Sequence, residues 1–179
     1  MRPIHTLLLV ITLTLSACAT LPAPSDTTGG MLAFPMQVSS ESGGRFYYTY
    51  EFQVFRTGEE GVVDRIILDP TLNKRVATFG PYPVGEYYLG IQTTWPKQSQ
   101  TLRFSYNPKP RRVFYAFTIE EDTITVLNNT MTVHKNRDRS TSSLVIPSTR
   151  ETQADAVAQL RAEDGVGLWQ LKTLYPIEE

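Results

Sequence analysis

The chain has 179 residues and a formal net charge of −1 at pH 7, the size of one domain with its tails. With 41% hydrophobic and 20% charged residues it is composed like a globular domain, and a pI of about 6.1 argues against a dedicated nucleic-acid binder, which is normally basic. A single cysteine excludes a disulfide framework and any multi-thiolate zinc site, and two histidines, one of them at position 5, leave little for metal or acid–base chemistry.

Residues 1–17 read as a leader. Arg2 supplies a positive start, and Leu7 to Leu15 is an apolar run far too short for the roughly 20 residues that span a bilayer. The run ends in Leu15-Ser16-Ala17-Cys18, which resembles the bacterial lipobox, and the only cysteine of the chain falls where that motif needs it. The other reading is an ordinary secretory leader cut after Ala17 or Ala19. The lipobox resemblance implies cleavage between Ala17 and Cys18, diacylation of the Cys18 thiol, and sorting set by Ala19. Because Ala19 is not the Asp of a retention signal, the expected location is the outer membrane of a diderm bacterium, lipid-anchored and facing the periplasm. Loss of the leader leaves His134 as the one histidine.

The remainder divides into 18–44 (lipidated Cys, flexible tether and lead-in), 45–147 (a β-sandwich) and 148–179 (a helix and a short terminal strand). Ala19 to Gly30 is rich in Pro, Ser, Thr and Gly and reads as a tether with a reach of about 40 Å. Met31 to Val38 reads as a first edge strand. Phe46, Tyr48, Tyr50, Phe52 and Val54 share one face of an alternating strand. Further strands follow over Val62–Leu68 and Arg75–Phe79, the latter stopped by Gly80-Pro81. In the next, Tyr87, Leu89 and Ile91 alternate with Glu86, Tyr88 and Gln92, and Leu102, Phe104 and Tyr106 mark another. Arg112–Ile119 is apolar on both faces and reads as a central strand. Ile124 to Val133 changes phase at Asn128-Asn129, either a hairpin turn or a bulge. The pattern predicts a mainly β fold, an antiparallel β-sandwich of about seven to eight strands with one C-terminal α-helix. Ser148 and Glu151 mark the helix start, Ala154, Val157, Ala158 and Leu160 its apolar stripe, and Gly165 its end. Gly167–Leu174 is the terminal strand.

Phe79-Gly80-Pro81-Tyr82-Pro83-Val84-Gly85-Glu86-Tyr87-Tyr88-Leu89, with the later apolar strands and the C-terminal helix, resembles bacterial lipoproteins that carry small prealbumin-like or PEGA-like β-sandwich domains. The pattern departs from that family at Val84 and at Asn128-Asn129. The resemblance implies the sandwich and no particular activity.

No catalytic residues, cofactor or metal site are expected. A serine triad needs a histidine base, and His134 reads as a solvated strand-end residue. Glu59-Glu60 and Glu120-Glu121-Asp122 fall in turns, where adjacent carboxylates diverge, rather than across a glycosidase cleft. The basic stretches Lys109-Pro110-Arg111-Arg112 and His134–Arg139 read as solvated loops. Tyr47, Tyr88 and Trp95 fall on outer faces or strand ends, where exposed rings can stack on a sugar. The sequence therefore points to a non-enzymatic, lipid-anchored binding or assembly module with an envelope protein as partner. The second reading is a glycan-binding module using those three aromatics on peptidoglycan or polysaccharide.

Overall fold

A computed structural model gives the fold and describes residues 21–97 and 108–175. Ala17, Cys18, Ala19 and the strand expected over Leu102–Tyr106 lie outside the described residues. Among those described, 51% are in strands and 12% in helical turns. The elements are β1 (Gly30–Ser40), β2 (Tyr48–Arg56), β3 (Asp64–Leu68), β4 (Val76–Tyr82), β5 (Gly85–Pro96), β6 (Arg111–Ile119), β7 (Thr123–Val126), β8 (Asn129–Lys135), β9 (Thr141–Pro147), α1 (Arg150–Arg161) and β10 (Gln170–Lys172).

The strands form a sandwich. One sheet is antiparallel in the order β3-β2-β5-β6. The other is mixed: β1 pairs antiparallel with β4 and parallel with β7 and β8, while β10 and β9 add to β7 and β8. Leu32, Phe34, Met36 and Val38 of β1 face Tyr50, Phe52 and Val54 of β2 and Leu89 and Ile119 between the sheets. On the far side of the six-stranded sheet, Ala156, Val157 and Leu160 of α1 pack on Met31, Ala33, Val76 and Ile124, together with Trp169. The result is three layers: four-stranded sheet, six-stranded sheet, helix.

Several sequence expectations change in position. Met31–Val38 is not an edge strand. β1 is the middle of its sheet and buried on both faces, so its near-continuous apolar run Met31–Met36 is that of a strand with two dry faces. The sandwich therefore starts at Gly30 rather than at 45. Conversely, Arg112–Ile119 is not central among the described residues: β6 ends the order of the four-stranded sheet there, and its second apolar face looks outward. β4 runs on through Gly80-Pro81 to Tyr82.

In β5 the alternation breaks at Gly90. Gln53 pairs with Ile91 and Val54 with Leu89, so Gly90 is a bulge residue. Ile91 then faces outward and Gln92 is buried. The phase change near Asn128 is no hairpin, because β7 and β8 run one after the other along β1 in the same direction. Met31 pairs with Ile124 but Met36 with Met131, which accommodates two extra residues, and the Leu127 N–H donates to Ala33 O at 2.8 Å.

The helix cap is shifted by one residue. Thr149 is the N-cap, with Thr152 completing a reciprocal capping box. Ser148 is instead buried, its Oγ 2.8 Å from Thr130 Oγ1. The buried stripe is Gln153, Ala156, Val157 and Leu160, with Ala154 and Ala158 exposed. The helix is capped at Ala162, and Gly165, at φ 88°, opens a 3-10 turn over Val166–Leu168.

The expected tether is docked where it is described. Leu21 packs beside the helix layer, Trp169 Nε1 donates to Pro22 O at 3.0 Å, and the Asp122 N–H donates to Gly29 O at 3.0 Å. Gly29 (φ 155°) sits so close to β4 that a Cβ would lie 2.0 Å from Tyr82 O.

Candidate functional site

The helix covers the outer face of one sheet. The outer face of the other carries a row of rings across three strands: Phe55 of β2, Tyr88 of β5 and Phe114 of β6. Phe55 and Tyr88 stack at 5.1 Å between centroids and 9° between planes, and Tyr88 and Phe114 lie at 5.0 Å and 34°. Gly90 makes the row possible, since a Cβ there would lie 2.6 Å from the Phe55 ring. Phe114 is 70% exposed, far more than an aromatic ring placed for packing. The β6 edge opens on a cleft of about 650 Å³, lined by Tyr88, Phe114, Ala116, Thr125, Asn128 and Leu174. Among the described residues no strand pairs with that edge of β6.

Of the three aromatics singled out in the sequence, only Tyr88 belongs to this row, and both of its faces meet neighbouring rings. Trp95 (41% exposed) lies seven residues further along β5, roughly 20 Å away, with its Nε1 donating to Glu51 Oε2 at 3.1 Å. Tyr47 (47% exposed) immediately precedes β2, under the Lys135 ammonium, which is 5.1 Å from its ring centre. The three therefore make no common plane. The structure also departs from the basic-loop reading at Lys135. That side chain is buried, and its Nζ donates to Gly43 O and Arg45 O. Sequence reasoning missed Phe55 and Phe114; the signal was the double-faced apolar pattern of β6.

Two polar clusters stand elsewhere. Ser39 and Glu41 meet His134 across the β1–β8 pairing: Ser39 Oγ is 2.8 Å from Nδ1, and Glu41 Oε1 is 3.6 Å from Nε2. This is a serine–histidine–acid set that the sequence alone left unassembled. Its ring nitrogens are used in the reverse sense to a serine hydrolase, where the nucleophile meets Nε2, and all three groups are open to water.

At one end of the sandwich, Tyr82 donates to Asp64 Oδ2 at 2.6 Å, Tyr87 donates to Pro83 O at 2.8 Å, and Arg56 donates to Glu59 Oε1 at 2.7 Å and Val84 O at 2.8 Å. Burial, with the Asp64 hydrogen bond and charge adding, pushes the Tyr82 hydroxyl far above its ordinary value. Burial also raises Tyr87, against the opposing charge of Arg56. Glu59 is thus ion-paired in its turn, and Glu120 pairs with Lys172. Among the described residues no group of three or more His, Cys, Asp or Glu is placed to hold a metal ion. Comparison with protein-family models, with curated proteins and with solved structures finds no match to this chain.

Proposed function

We propose that this protein is a lipid-anchored envelope protein, held through Cys18 in the outer membrane and facing the periplasm, whose sandwich is a non-enzymatic docking module for an envelope protein. The observation that carries the docking part is β6. It combines a strand edge with no strand partner among the described residues, where the Thr118 carbonyl accepts from Thr125 Oγ1 at 2.8 Å, a strongly exposed Phe114 ending an aromatic row, and a cleft alongside. An extended segment of a partner can add to such an edge through main-chain hydrogen bonds, with its side chains entering the cleft. The ring geometry favours a protein over a sugar. Sugars stack on open ring faces, and the faces of Tyr88 are taken by Phe55 and Phe114. The membrane part rests on Leu15-Ser16-Ala17-Cys18, and the lipoprotein families with small sandwich domains supply the analogy.

The test is a photo-crosslinking amino acid at Phe114 in living cells, with one at Ile67 on the far edge of the same sheet as control. One recurrent envelope protein attached at 114 and absent at 67 is the expected result. Glycan fragments at 114 without protein would transfer the assignment to the peptidoglycan or polysaccharide reading. No adduct at 114 would remove the docking site. Separately, Cys18→Ala should leave an uncleaved precursor or release the protein, and mature protein still attached to the membrane would refute the anchor.

A further inference from the structure

We propose that the 3-10 turn Val166–Leu168 is the membrane-facing surface of the domain, with Leu168 entering the lipid headgroup region of the bilayer that holds the anchor. The inference rests on the lipid anchor proposed above and deepens it, because an anchor alone leaves the orientation open. Twelve free residues between lipid and domain would let the sandwich sit anywhere within about 40 Å of the surface. The structure removes most of that freedom. Leu21 packs against the helix layer, and the Pro22 carbonyl accepts the Trp169 indole N–H at 3.0 Å. Gly165, the residue before the turn, passes so close to this arm that a Cβ there would lie 3.0 Å from Leu21 O. The chain is thus fixed to the domain from Leu21 onward.

Two residues, Ala19 and Thr20, lie between Cys18 and Leu21, and three residue steps reach about 11 Å at full extension. Whatever surface surrounds Leu21 must therefore lie within that distance of the acylated sulfur. That surface is the turn after Gly165. Gly167 has open space around it, and Leu168 is 67% exposed. Among the described residues the Leu168 side chain belongs to neither buried cluster, whereas its neighbours Val166 and Trp169 turn inward. Arg161 stands exposed beside the same turn and can meet lipid phosphates. Glu163 and Asp164 lie on the same connection, so net charge adds little attraction. The covalent lipid supplies the binding, and the docked arm supplies the orientation.

The experiment uses the full lipidated protein carrying Leu168→Cys, purified from membranes. Acylation blocks the Cys18 sulfur, so the new thiol is the one that takes an environment-sensitive fluorophore. Ile67→Cys, at the β3 edge of the other sheet, is the control. Both are reconstituted into phosphatidylethanolamine–phosphatidylglycerol vesicles containing a spin-labelled lipid, and the intact mass of each sample reports diacylation. The expected result is a label at 168 that is blue-shifted and quenched by the spin-labelled lipid severalfold more than the label at 67. A diacylated, vesicle-bound sample with equal, weak quenching at both sites would overturn the orientation while the anchor stands. Shielding from water at 168 without lipid quenching would mean a protein contact there and would also overturn it. Absence of the acyl mass, with no vesicle binding, would overturn the anchor and this inference together. Matching thermal unfolding of the two variants and the parent confirms that the substitutions leave the fold intact.

Discussion

At the residue scale the Tyr82–Asp64 pair makes a pH prediction with a definite sign. The folded state holds the Tyr82 proton to higher pH than the unfolded chain, whose tyrosines titrate near 10. Stability from this group is therefore fully present below about pH 10. It falls above that, by up to about 1.4 kcal/mol per pH unit, as the unfolded chain sheds a proton that the folded one keeps. Tyr82→Phe should lose about 1–2 kcal/mol at neutral pH, the size of a hydrogen bond to a carboxylate, and should flatten the alkaline slope. Tyr87, also raised, keeps the slope from vanishing. Urea titrations of both proteins between neutral pH and pH 11 decide it: parallel curves would show that Tyr82 ionisation is not linked to folding. This cluster was not legible beforehand, because Asp64 and Tyr82 lie on strands of different sheets and only the packed sandwich brings them together.

At the element scale, what could be read in the sequence and what could not have a common cause. Alternation is a faithful signal when one face is dry and the other wet. Tyr50, Phe52 and Val54 of β2 are all buried as their spacing predicts. It fails for strands with two apolar faces, since periodicity cannot say what covers the second face. β1 has a helix on it, whereas Phe114 of β6 is exposed, so the apolar pattern by itself assigns the central and edge positions in the reverse order to that of the described strands. The outward apolar face of β6 is the candidate site, which explains why the place where local pattern and burial disagree is also the place of interest.

The same contrast sets an expectation for local stability. β1 is paired on both sides and buried on both faces, while β9 is an edge strand paired only with β8 among the described residues, with Leu144 half exposed. Amides of Leu32 to Phe34 should exchange with solvent only on global unfolding, and those of β9 by local fraying, orders of magnitude faster. Comparable protection in β9 and β1 would mean that the β9 edge is covered in solution, by a partner or a second copy.

At the scale of the whole molecule, β1 joins the layers. It sends Leu32, Phe34, Met36 and Val38 into the core between the sheets, and Met31 and Ala33 into the cluster under the helix. Gln159 reinforces the connection: its Oε1 accepts the N–H groups of Arg75 and Val76 at 2.6 and 3.0 Å, and its Nε2 donates to Asn73 O, fastening the start of β4 to α1. A strand shared in this way cannot detach from one cluster and remain ordered in the other, so the helix layer and the four-stranded sheet should unfold as one unit. The chain's two tryptophans report the two layers separately, Trp169 under the helix and Trp95 on the outer face of the four-stranded sheet. Single-tryptophan variants, Trp95→Phe and Trp169→Phe, each differ in overall stability from the parent, so each must be compared with its own circular dichroism rather than with the other. Within each variant the fluorescence and circular-dichroism midpoints in urea should coincide. A Trp169 signal that melts before the strand signal of the same variant would make the helix layer and its docked arm a separable unit. The orientation imposed by that arm would then be a property of a lid that opens, rather than of the folded domain.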